Sequence, residues 1–260
     1  MSGSELSGKV AIVTGGAGGI GSAVCRLLAS EGASVAVADI DDAAAALVAE
    51  EIGGVAAHVD LADEASVAAM AAEVAEQFGG IDILDNNAAL TDAGVLALDQ
   101  AVTEMDIDVW DSMMAVNLRS QMLTCKHVIP HMVRRGGGAI VNMSSGAANS
   151  GDLGRTAYSV SKSAITAFTK YVATQYGRQG VRVNTIVPGL ILTEPVRAQI
   201  PPEMLKLYTR SVLTRHVGEP SDVADLVAFL VSDRSRYITG QSISIDGGMS
   251  IHGARLPERD

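Results

Sequence analysis

Short apolar runs of strand length alternate with longer Ala-rich stretches of helical period along this 260-residue chain. KVAIVT (9–14), SVAVAD (34–39), GVAAHVD (54–60), IDILDN (81–86), AIVNMS (139–144), VRVNTIV (181–187) and SISID (242–246) predict seven strands. Helical patterns fill 20–30, 64–78, 157–177 and 221–232 between them. The strands are apolar almost throughout rather than alternating, as expected of a parallel sheet covered by helices on both faces. Right-handed crossovers then build a doubly wound α/β sheet. No linker, low-complexity tract or repeat divides the chain, so 1–260 is read as a single domain. Two connections are long, 88–104 and 188–218. Both follow the C-terminal ends of strands, where open α/β sheets bind ligands, and 188–218 is read as a substrate-binding loop or lid.

Composition narrows the partners. The chain is 48% hydrophobic but only 3% aromatic, so its core must be built from aliphatic residues and Met. A formal net charge of -11 disfavours nucleic acid and anionic membrane, since both are polyanions. Cys25 and Cys125 form no CxxC, which points away from a disulfide framework and toward a reducing compartment. His127 and His131 are four apart but lack the glutamate of a zinc helix, and no metal site is expected. MSGSELSGK has no apolar leader core, and no run approaches a membrane span, so a soluble cytoplasmic protein is expected.

The first strand runs into Thr14 and then GGAGGIG (15–21). Glycines there allow a tight turn and close backbone approach, and the helix that follows favours a pyrophosphate at its N-terminus. Asp39 ends the second strand, where a carboxylate can accept both ribose hydroxyls of NAD and would repel the 2′-phosphate of NADP. No Arg or Lys lies in 15–21 or at Ile40 to neutralise that phosphate, so NAD is preferred over NADP. Asp41 and Asp42 are better placed than Asp39 to cap the next helix. Asp60-Leu61 ends the third strand; Asp60 either bonds the adenine amino group or caps the helix starting near Asp63.

Tyr158 and Lys162 are four apart and share a helix face. NMSSG (142–146) brings Ser145 to the same sheet edge, and MAVNL places Asn117 on a helix after the 88–104 connection. With these residues the chain resembles the short-chain dehydrogenase/reductases, NAD(P)-dependent oxidoreductases of Rossmann-type fold. The resemblance covers nearly the whole chain. TGGAGGIG matches the family's TGxxxGxG, NNAA its NNAG with Ala89 for the last glycine, PGLILT its PGxxxT, and ITGQSISIDGG its last strand and turn. Asn117, Ser145, Tyr158 and Lys162 match its catalytic tetrad.

The resemblance implies roles. Tyr158 is the acid/base, Ser145 bonds the substrate oxygen, Lys162 favours the phenolate and holds the nicotinamide ribose, and Asn117 keeps a water in a proton relay to Lys162. It implies cofactor contacts at Gly15, Gly18, Gly19, Ile20, Gly21, Asp39, Asp60, Leu61, Asn87 and Ala88, and at Pro188, Gly189, Ile191 and Thr193 beside the nicotinamide. It also implies a homotetramer.

Leu190, Leu192, Val196, Ile200, Met204, Leu205 and Tyr208, with Leu153 and VLAL (95–98), suggest a hydrophobic pocket for an alicyclic or steroid-like secondary alcohol. A 3-oxoacyl-[acyl-carrier-protein] reductase is the alternative, disfavoured by Asp39, by the absence of a basic residue soon after NNAA and by the length of 88–104. A non-catalytic dinucleotide sensor is the other class, disfavoured because Tyr158 and Lys162 both remain.

ILDNNAAL (83–90) holds one departure. By resemblance Asn86 and Asn87 tie the strand ends and line the nucleoside ribose, Asn87 the closer. Asp85 stands where relatives carry an apolar residue. Buried in a covered sheet, it needs donors or must stay protonated. Backbone N–H groups of neighbouring loops are the expected donors and Arg119 the candidate cation. The role is read as structural, with Asp85→Asn expected to lower melting temperature more than turnover.

Overall fold

A computed structural model describes residues 5–252. Seven parallel strands, β1 (Val10–Thr14), β2 (Ser34–Asp39), β3 (Val55–His58), β4 (Ile83–Asn86), β5 (Gly138–Met143), β6 (Val181–Pro188) and β7 (Ser242–Ile245), lie in the order β3-β2-β1-β4-β5-β6-β7. The helices are α1 (Gly19–Ser30), α2 (Asp42–Ile52), α3 (Glu64–Phe78), α4 (Ala93–Leu98), α5 (Ile107–Met113), α6 (Ser120–Arg134), α7 (Thr156–Tyr176), α8 (Glu194–Gln199), α9 (Pro202–Ser211) and α10 (Pro220–Val231). This is the Rossmann-type doubly wound sheet that the apolar runs predict.

The side chains of each strand divide between two cores. Ala11, Val13, Ile83 and Val141 meet Val24, Leu28, Val223 and Val227 of α1 and α10. Ile12, Leu84 and Ile140 meet Met70 and Val74 of α3, Val128 and Met132 of α6, and Val172 of α7. Strand order reverses between β1 and β4, and their carboxyl ends frame the crevice where such sheets bind ligands.

Helix ends follow local chemistry. Asp41 caps α2 by accepting from Ala44 N, and Asp63 caps α3 by accepting from Ala65 N. Both helices stop at left-handed glycines, Gly53 and Gly79.

The two long connections are not bare loops. The first contains α4, capped by Asp92, and the second contains α8 and α9. The six-residue α4 and α8 are too short to show a period, which is why the pattern hides them. A parallel bridge between Ile191 and Gly218 closes the base of the second excursion. Between α5 and α6 the helix widens into a π-type turn over Met114–Arg119, a distortion that recurs at functional sites.

Candidate active site

The turn after β1 forms a cradle. Gly15 has φ 62, and a Cβ there would sit 2.9 Å from Ala88 Cα. A Cβ on Gly21 would run into the Gly15 carbonyl and come within 2.8 Å of Asn87 Nδ2. The close packing that demands glycine is made by the end of β4: Asn87 Nδ2 donates to the carbonyls of Thr14 (3.1 Å) and Gly15 (3.2 Å), and Ala88 N donates to Thr14 Oγ1 (3.3 Å). Thr193 covers the other side, 2.7 Å from where a Gly19 Cβ would stand. Gly18 caps α1 without a side-chain bond, and no acid occupies the first turn, so the helix N-terminus is left for an anion. These features fit the pyrophosphate of a dinucleotide.

Asp39 stands beside this cradle, half-buried. Its Oδ2 accepts from Ala17 N (3.1 Å), and its Oδ1 from Ile40 N (2.8 Å) and Asp41 N (3.2 Å). Asp60 Oδ1 accepts from Ala62 N (2.8 Å); with Asp63 capping α3, Asp60 is not the helix cap. Leu61 is half-buried next to it. At the far side, Gly189 N donates to Ile245 O after Pro188 ends β6. Ile191 turns its side chain into the α1/α10 core, as Ile20 does in part.

Tyr158 lies in the first turn of α7, half-buried, with Lys162 one turn on and 1% exposed. Lys162 Nζ is 5.8 Å from the Tyr158 ring centre and donates to Met143 O at 2.9 Å. Burial pulls the Lys162 ammonium down to about 7. Burial pushes the Tyr158 phenol up, opposed by a hydrogen bond with Ser145 and by the charge of Arg155. Ser145 follows β5, and its hydroxyl accepts from Ala147 N (3.2 Å). Ser144 Oγ donates to Lys162 O (2.7 Å) and so fastens the end of β5 to α7. Asn117 is fully buried on the π-type turn. Its Oδ1 accepts from Leu90 N (2.7 Å), and its Nδ2 donates to Ser161 Oγ (3.2 Å). The chain thus runs from the cradle through Leu90 and Asn117 to the helix bearing Tyr158.

A family model described as "Enoyl-(Acyl carrier protein) reductase" matches residues 15–250. A protein of Bradyrhizobium diazoefficiens, named as a short-chain type dehydrogenase/reductase, is 46% identical over 95% of this chain and 89% of its own. The chain belongs to the short-chain dehydrogenase/reductase family. The 2,5-dichloro-2,5-cyclohexadiene-1,4-diol dehydrogenase LinX of Sphingobium indicum is 38% identical over 95% of this chain and 98% of its own. A solved structure of 7α-hydroxysteroid dehydrogenase, complexed with NADH and 7-oxo glycochenodeoxycholic acid, superposes with a TM-score of 0.87 at 32% identity, covering 95% and 96%.

Several expectations for this short-chain dehydrogenase/reductase are corrected. Asn86 does not line the crevice. It is buried, donating to Asn142 Oδ1 (2.8 Å) and accepting from Thr124 Oγ1 (2.7 Å), and it joins β4, β5 and α6. Asp85 has neither expected donor. Alternation along β4 puts it on the α1/α10 face with Ile83, and among the described residues neither carboxylate oxygen has a hydrogen-bond partner. Arg119 instead donates to Ala62 O (2.9 Å). Burial pushes the Asp85 carboxyl up to about 8, so it is held neutral at neutral pH. The apolar residues named for the pocket differ in exposure: Leu192 is buried, whereas Leu153 is 94% exposed and Leu98 57%.

Asp99 is not among the residues that the sequence motifs single out. It is buried, and its carboxylate accepts from Ala157 N and Tyr158 N, both at 2.9 Å. The sequence carries no signal for it: before a helical pattern at 157–177, Thr156 stands as an ordinary cap, and only the structure shows its hydroxyl donating to Gln100 O instead.

Proposed function

We propose that the chain is an NAD-dependent dehydrogenase that interconverts a secondary alcohol and a ketone, acting on an apolar alicyclic or steroid-like substrate. The observation that carries this reading is the Ser145–Tyr158–Lys162 group at the sheet edge that also holds the glycine cradle. A nicotinamide dinucleotide held in the cradle supplies the hydride acceptor or donor. Tyr158 exchanges a proton with the substrate oxygen, and Ser145 donates a hydrogen bond to that oxygen as charge develops on it. Lys162, through its charge, favours the phenolate against the burial that opposes it. Its ammonium has donors beyond the one given to Met143 O, and these would be available to the ribose hydroxyls. Asn117 has its amide engaged by Leu90 and Ser161, so a relay water kept by Asn117 would have to bond the backbone of its π-type turn rather than the side chain.

Asp39 supports NAD over NADP, because its carboxylate is fixed by three backbone N–H groups at the end of β2 and has no basic neighbour at Ile40 or in 15–21. The ribose side is completed by Asp60, Leu61, Asn87 and Ala88, and the nicotinamide side by Pro188, Gly189, Ile191 and Thr193. The 188–218 segment is the substrate lid. A cyclic diol and a steroid in the names of the relatives support the alicyclic class. Exposed Met122, Val160 and Tyr171 on α6 and α7 support a homotetramer, and the composition a cytoplasmic setting.

An acyl-carrier-protein reductase is the second reading, favoured by the family description. Exposed Asp92, Glu104, Asp106 and Asp108 leave that flank acidic, which is unsuited to an anionic carrier and its phosphate-bearing arm. An NAD⁺-coupled absorbance screen over steroids, cyclic diols and acyclic alcohols tests the reading. Turnover confined to acyl thioesters with NADPH would replace it with the second.

A further inference from the structure

The first N–H groups of any helix lack intrahelical partners, and the residue just before the helix usually supplies an acceptor. At α7 that residue is Arg155, which has φ 57 and makes no capping bond. The acceptor comes instead from a distant segment. Asp99 Oδ1 takes Ala157 N and Oδ2 takes Tyr158 N, both at 2.9 Å. The Asp99 carbonyl accepts from Arg155 N at 2.7 Å, and Thr156 Oγ1 donates to Gln100 O at 3.0 Å. Four bonds therefore join residues 99–100 to 155–158. Asp99 is 3% exposed, and a carboxylate so buried is tolerated because both its oxygens are bonded.

We propose that Asp99 is a positioning residue for Tyr158: it locks the first turn of α7 and makes the 88–104 segment and the acid/base side chain one rigid unit. This rests on the dehydrogenase reading above. The geometry separates its effect from cofactor binding. Lys162 is held one turn deeper by Ser144 Oγ and Met143 O, and the cradle by Asn87 and Ala88. Helix ends fray first when their caps are lost, so removal of Asp99 loosens Tyr158 while leaving Lys162 and the glycine turn in place. A misplacement of about 1 Å at a reacting group costs on the order of 10²-fold in rate.

The test compares wild type, Asp99→Ala and Asp99→Asn in kcat, in NADH affinity by fluorescence, and in hydrogen exchange at Ala157 and Tyr158. Asp99→Ala is expected to lose at least ~10-fold in kcat and to exchange faster at both amides, with NADH affinity within about twofold of wild type. Asp99→Asn keeps one acceptor oxygen and is expected to recover part of the kcat. If Asp99→Ala does not fold, Asp99→Asn against Asp99→Ser carries the same comparison. Unchanged kcat per folded enzyme, or unchanged exchange at Ala157 and Tyr158, would overturn the proposal. So would loss of NADH binding in step with kcat. If wild type turns over no alcohol the dehydrogenase reading fails, and the exchange measurement still decides whether Asp99 holds the turn.

Discussion

The buried ammonium of Lys162 lies 5.8 Å from the centre of the Tyr158 ring and gives a hydrogen bond to the Met143 carbonyl at the end of β5. Strand and helix thus fix the cation together, while the phenol projects from the first turn of the same helix. The arrangement matters because burial works against both charged forms, lowering the lysine toward about 7 and raising the tyrosine. Each is charged most readily beside the other.

Lys162→Met removes the cation and leaves most of the volume. Turnover is expected to fall by about 10²-fold or more, the usual scale for impaired acid–base catalysis. Oxidation needs the tyrosine deprotonated, so its rate rises with pH. Without the ammonium, the limb of the pH–rate profile for oxidation shifts to higher pH. A profile unchanged in position would remove Lys162 from the tyrosine's electrostatics.

Asp39→Ser takes away the charge that opposes a 2′-phosphate. The ratio of NADH to NADPH affinity, read by fluorescence titration, is expected to fall by about tenfold or more, equivalent to ~1.4 kcal/mol. Wild type that binds NADPH more tightly than NADH would contradict the role given to Asp39.

Asp85→Val fills the site between Val13 and Val141 with an aliphatic side chain. The carboxyl ionises near 3.8 when exposed and near 8 in the fold. The folded chain therefore keeps a proton that the unfolded chain releases, and the contribution of Asp85 to wild-type stability declines as pH rises from about 4 to about 8. The valine variant is expected to melt higher than wild type, with the gap widening across that window. Relief of an unbonded buried polar group is worth ~1–3 kcal/mol, a shift of several degrees. The loss of stability expected for Asp85→Asn presumes donors to the carboxylate, and among the described residues Asp85 has none. Equal melting temperatures at both ends of the window would mean the carboxyl is not held neutral.

Much of this was legible in the sequence, for a physical reason. Strands buried on both faces leave unbroken apolar runs, so all seven can be located, and α3 can be bounded to the residue because Asp63 and Gly79 mark its ends. The cradle is legible because steric demand leaves glycine as the residue that fits at 15 and 21. What stayed hidden depends on contacts distant along the chain. Asp99 reaches α7 across 58 residues to Ala157. Asn86 looks like Asn87 in sequence, and only the pleat sends one inward to Asn142 and the other to the glycine turn. The short helices α4 and α8 leave no period to read.

The measurement that bears most directly on the central claim is turnover by Tyr158→Phe on the best alcohol from the NAD⁺-coupled screen, with NADH affinity measured alongside. The variant removes one hydroxyl. Turnover is expected to fall by about 10²- to 10⁴-fold with NADH affinity retained. A Tyr158→Phe enzyme that oxidises the same alcohol as fast as wild type would contradict the account.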